Sequence, residues 1–234
     1  MKKQYITGLL FLGMAGVSCD DGRLYEDQIA IPEAGRVAKL TGQLTGVGNW
    51  AEGYDVVVAG FAENNDFAII TKDVQVSADG QVSTILSGIP DEVTEVEFCV
   101  TNRLRKRILT FRQADLNTTD TIRLEVGTMD VGMYATIQEQ LFNTTCVSCH
   151  GASTFAGGGL YLTSGKSYDA LMGKPSQLVE GMLLVNPGKA ASSLLYQTID
   201  TDISTTWRQD HSNMVMSPTL KGVVRDWINE EKER

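Results

Sequence analysis

Short strand-like runs dominate the first half of the chain. Apolar and polar residues alternate at residues 93–100, 107–111 and 121–126, whereas residues 54–61 and 67–71 are mostly apolar. Two more, at 74–76 and 82–86, flank Asp79-Gly80, a dipeptide that favours hairpin turns. About seven short strands at this spacing predict an antiparallel β-sandwich over residues 36–127.

The spacing of the apolar residues becomes helical after Gly127. One stripe with a four-residue step consists of Met133, Ile137 and Leu141. A second stripe follows Pro218, a residue that suits a first helical turn, and consists of Leu220, Val223, Val224, Trp227 and Ile228. Residues 193–199 predict a short helix between the two stripes. The sequence therefore predicts a multidomain α and β chain, in which the N-terminal antiparallel β-sandwich is followed by an all-α domain at residues 128–234.

Residues 1–18 have the features of an export signal. A basic start precedes an apolar stretch at residues 5–17 that is too short to cross a bilayer comfortably. The stretch ends at Ser18-Cys19, which resembles the cleavage site of bacterial lipoproteins, whose cysteine carries the lipid. We expect Cys19 to be the lipid attachment site and residues 19–35 to be a tether. The protein would then be exported and anchored to a bacterial membrane, on its periplasmic or cell-surface side; cleavage without lipidation is the alternative.

One short motif carries recognisable chemistry. Cys146 and Cys149 are three positions apart and His150 follows directly, which is the spacing of c-type haem attachment. Each thiol can form a thioether with a haem vinyl group, and the adjacent histidine can bind the iron. The motif predicts one covalently attached haem c.

Two other uses of such cysteines fit this chain less well. A redox-active Cys-x-x-Cys pair belongs in a thioredoxin-like βαβ unit, which the surrounding sequence lacks. A structural zinc site needs four ligands, and beyond the motif and the expected lipid anchor only His211 and Cys99 remain. Cys99 lies in an apolar run, where we expect a buried and inert thiol.

Around the motif, residues 134–228 resemble a class I-type cytochrome c domain. The resemblance rests on Cys146-x-x-Cys149-His150-Gly151, Gly158-Gly159-Leu160-x-Leu162, Pro187-Gly188, Ser193-Leu194-Leu195-Tyr196 and Trp227-Ile228. It implies that the all-α domain is cytochrome c-like. It also implies that a methionine ahead of the last helix is the second axial ligand of the iron.

Met214 is the first candidate for that ligand. Val215 follows it, where the family commonly has proline, so Met216 remains an alternative. His211 is the third candidate. A second histidine would give the iron a lower reduction potential than a methionine, because Met/His ligation raises the potential.

The negative net charge of the chain argues against one class of binding partner and favours another. The formal net charge is −9, and phosphate binding needs a basic face, so nucleic acid is not expected as a partner. An acidic surface suits a redox protein with a basic docking patch. The acidity would also serve simply to keep an exported protein soluble.

These features predict a membrane-anchored monohaem c-type cytochrome that acts as a carrier of single electrons. Two alternatives stay open. If neither methionine reaches the iron, the open position would suit a sensor or an oxidoreductase. The haem domain could instead be a structural module that docks a larger surface complex, with the β-sandwich as the interaction piece.

Overall fold

Seven β-strands occupy the first part of the described chain. They are β1 Arg36–Thr45, β2 Tyr54–Phe61, β3 Ile70–Asp73, β4 Gln81–Ile89, β5 Glu95–Asn102, β6 Arg107–Gln113 and β7 Ile122–Asp130. The computed structural model describes residues 35–114, 116, 121–151, 156–203 and 209–232. The predicted signal peptide and Cys19 lie outside these residues, as does the predicted tether except for Gly35.

The strands form two sheets that share an apolar core. The first sheet has the order β4-β1-β7 and the second the order β3-β2-β5-β6. Leu40 of β1, Leu124 of β7 and Phe98 of β5 all belong to the shared core. The central strands β2 and β5 are buried on both faces, because Val57 and Cys99 lie in a second, smaller cluster.

Short helices dominate the regular structure after β7. Within the described residues they are α1 Met133–Ile137, α2 Val147–His150, α3 Ser167–Leu171, α4 Leu194–Asp200 and α5 Pro218–Glu230. A π-helix, Gln138–Cys146, joins α1 to α2, and Gly157–Gly159 and Ala190–Ser192 are single 3₁₀ turns. None of the helices in the described ranges has both the length and the apolar character needed to span a bilayer.

The predicted fold class was wrong, and the first error concerns the direction of the strands in the β4-β1-β7 sheet. The sandwich is not antiparallel throughout, because β1 pairs with β7 in parallel, with Ala38 opposite Ile122. The alternation of apolar residues shows which face of a strand is buried, but it carries no information on the direction of the neighbouring strand. The pairing therefore could not be obtained from the pattern.

The fold class was also wrong for the residues after β7, which are not an all-α cytochrome c-like domain. The helices there are few and short, and isolated β-bridges join Met172 to Val185 and Leu183 to Ser193. Helical spacing covers only short stretches of this part of the sequence, and the described chain between the helices consists mainly of turns, bends and isolated β-bridges. The protein is mostly β, with two sheets and a few short helices.

The helical part packs directly against β2. Trp50 and Tyr54 contact both the core of the sheets and the apolar cluster of the helices. The Trp50 Nε1 atom donates to Val131 O at 2.8 Å, and the Tyr54 hydroxyl donates to Asp226 Oδ2 at 2.7 Å. Burial and this hydrogen bond raise the pKa of Tyr54 far above its usual value. The described residues accordingly belong to one compact unit, Ala34–Arg234.

Candidate haem-attachment site

Cys146 and Cys149 lie on one continuous helical stretch. The stretch begins with α1, widens into the π-helix that ends at Cys146, and finishes with α2 at His150. π-Helical turns are rare and occur frequently at functional sites. Residues three positions apart on a helix are neighbours on its surface, so the two thiols lie on one side of the stretch, next to His150.

The two thiols are free, with no disulfide between them. Cys146 is partly buried against the apolar cluster of the helices, whereas Cys149 is exposed. Burial, with a smaller effect of the neighbouring Cys149, raises the pKa of Cys146 to about 11. Thiol–disulfide exchange needs a thiolate, which a lowered pKa provides. The raised pKa favours the protonated thiol form of Cys146 at neutral pH.

The imidazole of His150 is held by a backbone carbonyl. Its Nδ1 atom lies 3.2 Å from Leu160 O, and a carbonyl only accepts hydrogen bonds, so the proton belongs on Nδ1. The other nitrogen, Nε2, then carries the lone pair that can bind a metal. The backbone of the same segment adds a second contact, since Leu162 N donates to His150 O at 2.8 Å.

A glycine turn brings Leu160 to this position. A Cβ atom on Gly157 would lie 3.2 Å from His150 Cε1, so the absence of a side chain lets the backbone pass close to the ring. Gly158 has a φ of +61°, which L-residues with a side chain rarely adopt. The Leu160 N–H closes the turn by donating to Gly157 O at 3.2 Å.

Replacing Gly158 with alanine should destabilise this turn. A left-handed backbone costs a residue with a Cβ about 1 to 2 kcal/mol, and no atom lies within 4 Å of that Cβ, so the cost is conformational. Gly222→Ala is the matched control, because Gly222 lies inside α5 with equally open space; there alanine should stabilise by about 1 kcal/mol. Denaturant unfolding measures both changes. Equal effects of the two substitutions would contradict the assigned conformation of Gly158.

Gln138 is a residue of this site that the sequence analysis missed. It is 6% exposed, its Nε2 atom donates to Leu162 O at 2.9 Å, and its Oε1 atom accepts from Ser167 Oγ. Because Leu162 is bonded in turn to the backbone of His150, Gln138 braces the segment that holds the imidazole. In the sequence, the feature that could have pointed to Gln138 is its position directly after Ile137, next to the predicted apolar stripe.

His211 lies next to His150 in the fold. Their ring centroids are 6.3 Å apart and the ring planes differ by 37°. Burial and the nearby His150 lower the pKa of His211, while a hydrogen bond with the backbone of Gln209 acts in the opposite direction. The neutral imidazole is therefore favoured, and this is the form that binds metals.

The two candidate methionines are more exposed than the residue between them. Met214 is 37% exposed and Met216 is 78% exposed, whereas Val215 is 4% exposed and belongs to the apolar cluster of the helices. Burial of Val215 thus fixes this segment to the core, while Met214 and Met216 stay partly accessible to solvent. That Met214 or Met216 binds the iron stays a prediction.

The remaining candidate residues have clear positions. Cys99 is fully buried, as predicted, and burial raises the pKa of its thiol strongly. Cys19, the predicted lipid attachment site, is not among the described residues. Within the described ranges, no three His, Cys, Asp or Glu side chains form a group that could hold a metal ion.

No protein-family model, no curated protein and no solved structure matches the chain.

Proposed function

We propose that the chain holds one haem c through thioethers at Cys146 and Cys149, with His150 as an axial ligand of the iron, and that it transfers single electrons. The observation that carries the proposal is the 3.2 Å contact between His150 Nδ1 and Leu160 O. This contact orients the ring and leaves Nε2 available, as a second partner does for most metal-binding histidines. It occurs beside two unpaired thiols at the spacing that haem attachment needs.

The surroundings of these residues suit a bound haem. Cys146 and Leu160 both border the apolar cluster of the helices, and an apolar neighbourhood suits the macrocycle and limits the access of water. Gly157 lies next to the His150 ring and has no side chain that could cover the edge of the ring. A bound haem would supply the iron that gains and loses one electron. The protein would fix its orientation and, through the thioethers, prevent its loss.

The proposal includes a place in the cell. An export signal at residues 1–18 and a lipid on Cys19 would hold the protein at the periplasmic or cell-surface side of a bacterial membrane. In such an open compartment a covalently attached cofactor is retained where a dissociable one would be lost. The net charge of −9 suits a redox protein with a basic docking patch as the partner.

Optical spectra of the full chain, produced in a host that attaches haem c to exported proteins, test the electron-transfer function. We expect a spectrum that changes reversibly on reduction and reoxidation, and no effect of carbon monoxide, because a second side chain would occupy the position on the iron that His150 leaves. A high-spin spectrum, or immediate binding of carbon monoxide, would contradict electron transfer and favour an open iron site that serves as a sensor or an oxidoreductase.

A further inference from the structure

We propose that His211, rather than a methionine, is the second axial ligand of the haem iron. This inference rests on the proposed function, since it needs a haem bound at Cys146, Cys149 and His150. It is carried by the placement of two histidines that lie 61 positions apart in the sequence (211 minus 150) and whose rings the fold brings together.

The distance between the two rings matches a shared metal ion. Two imidazoles that bind one metal from opposite sides, each through a metal–nitrogen bond of about 2 Å, have ring centres about 6 Å apart. The ring centroids of His150 and His211 are 6.3 Å apart. The 37° between their planes is compatible with this arrangement, because each ligand can rotate about its own bond to the metal.

The turn that carries His211 is held from both sides. Asp210 Oδ1 accepts hydrogen bonds from Ser212 N at 2.8 Å and from Ser212 Oγ at 2.7 Å. On the other side, Met214 N donates to His211 O at 3.0 Å. A ligand must be held in place before the metal arrives if its orientation is to be defined, and these bonds restrict the backbone on either side of His211.

The turn is also attached to the rest of the fold. Lys221 Nζ, on α5, donates to Ser212 O at 3.4 Å, and the buried side chain of Val215 packs in the apolar cluster of the helices. His211 itself is half-buried, whereas Met216 is 78% exposed. Met214 is 37% exposed and belongs to the same turn, so burial and anchoring do not by themselves separate it from His211. The observation that favours the histidine is the 6.3 Å between the rings of His150 and His211.

Ligation by two histidines has a consequence for the chemistry of the protein. A methionine ligand raises the reduction potential of a haem iron relative to a second histidine. With two histidine ligands, the haem would have a lower reduction potential than the same haem with one histidine and one methionine. The protein would therefore exchange electrons with partners of correspondingly lower potential. Both axial positions would be filled, so single-electron transfer stays the function.

The test compares the haem-loaded full chain with His211→Ala, His211→Met, Met214→Leu and Met216→Leu, and with Gln209→Ala as a control on the same segment. Oxidised optical spectra show whether the weak far-red band of sulfur-to-iron ligation is present. Carbon monoxide binding to the reduced protein shows whether a position is open, and redox titration gives the midpoint potential.

We expect the wild type and Gln209→Ala to be low-spin, to lack the far-red band and to resist carbon monoxide. His211→Ala should lose the low-spin spectrum and bind carbon monoxide, and added imidazole should restore the low-spin state, which a merely structural defect would not allow. His211→Met, which keeps a side chain of similar size should the alanine variant fail to fold, should gain the far-red band and a more positive midpoint potential.

Two results would overturn the inference alone. One is a far-red band in the wild type that Met214→Leu or Met216→Leu removes. The other is a low-spin spectrum that survives in His211→Ala without imidazole. The absence of covalently bound haem in the wild type would instead overturn the proposed function, and this inference with it.

Discussion

Replacing both Cys146 and Cys149 with alanine should abolish covalent haem attachment. The thioethers need these two sulfurs, and no other thiol borders His150 in the described part of the structure, since Cys99 lies in a different cluster. Cys149 is exposed and Cys146 only partly buried, so the loss of packing should cost no more than about 1 kcal/mol. Haem staining of a denaturing gel and the mass of the intact chain measure the attachment.

The single substitutions and a buried control refine this test. Cys149→Ala should retain at most one thioether, which leaves one vinyl group unsaturated and shifts the spectrum of the reduced haem. Cys99→Ala removes a fully buried thiol of β5, where Cys99 pairs with Val57 of β2. It should lower the free energy of unfolding by about 1 kcal/mol and keep the haem. Covalent haem in the double variant, or two saturated vinyl positions in Cys149→Ala, would show that the thioethers are assigned wrongly.

Arg107→Met should lower the free energy of unfolding by about 3 kcal/mol at neutral pH, because it leaves a buried carboxylate without its cation. Arg107 Nη2 lies 2.6 Å from Glu95 Oε2, and Arg107 Nε lies 3.2 Å from Glu97 Oε2. The guanidinium also lies over the ring of Phe61, 4.1 Å from its centroid, so methionine would replace part of the lost packing but none of the charge. Equilibrium unfolding in denaturant measures the loss.

The effect of Arg107→Met should depend on pH. Burial raises the pKa of Glu97 above its ordinary value of 4.5, although hydrogen bonding by Thr110 and the charge of Arg107 oppose the rise. A carboxyl with a raised pKa in the folded state contributes stability below its ordinary pKa, and that contribution is lost as the pH rises through the raised value. Without Arg107 the pKa rises further. The destabilisation should therefore be smallest below the ordinary pKa of glutamate and grow towards neutral pH.

Arg103→Met is the matched control for this prediction. Arg103 also forms an ion pair with a glutamate, Glu52, but the two side chains are 67% and 86% exposed. Exposed ion pairs contribute about 0 to 1 kcal/mol, because water and salt screen them. A loss as large in Arg103→Met as in Arg107→Met, or a loss in Arg107→Met that does not change with pH, would contradict the role of the buried Glu97.

The local parts of the structure could be predicted from the sequence. The mostly apolar run at residues 54–61 is confirmed as β2, Tyr54–Phe61, and the apolar stripe after Pro218 is confirmed as α5, Pro218–Glu230. The buried state of Cys99 followed from its apolar run. Such features depend on a few neighbouring residues, whose spacing states directly which face of a strand or helix is buried.

The motif at Cys146, Cys149 and His150 is equally local. The three residues lie within five positions of the chain (146 to 150), so the sequence alone predicts their chemistry, independently of the surrounding fold. The fold class was not available in the same way, and it was predicted wrongly. The parallel pairing of β1 with β7 joins Ala38 to Ile122, and the pattern of either strand alone does not specify its partner.

Only the tertiary structure decided what surrounds His150. Its Nδ1 atom meets the carbonyl of Leu160, its backbone is braced through Leu162 by Gln138, and its ring lies 6.3 Å from that of His211. A carbonyl acceptor exists at every residue, so nothing in the side-chain sequence marks Leu160 as the partner. The nearness of His211 depends on how distant segments pack together. Short-range spacing determined the elements and the motif, while contacts between distant residues determined the site.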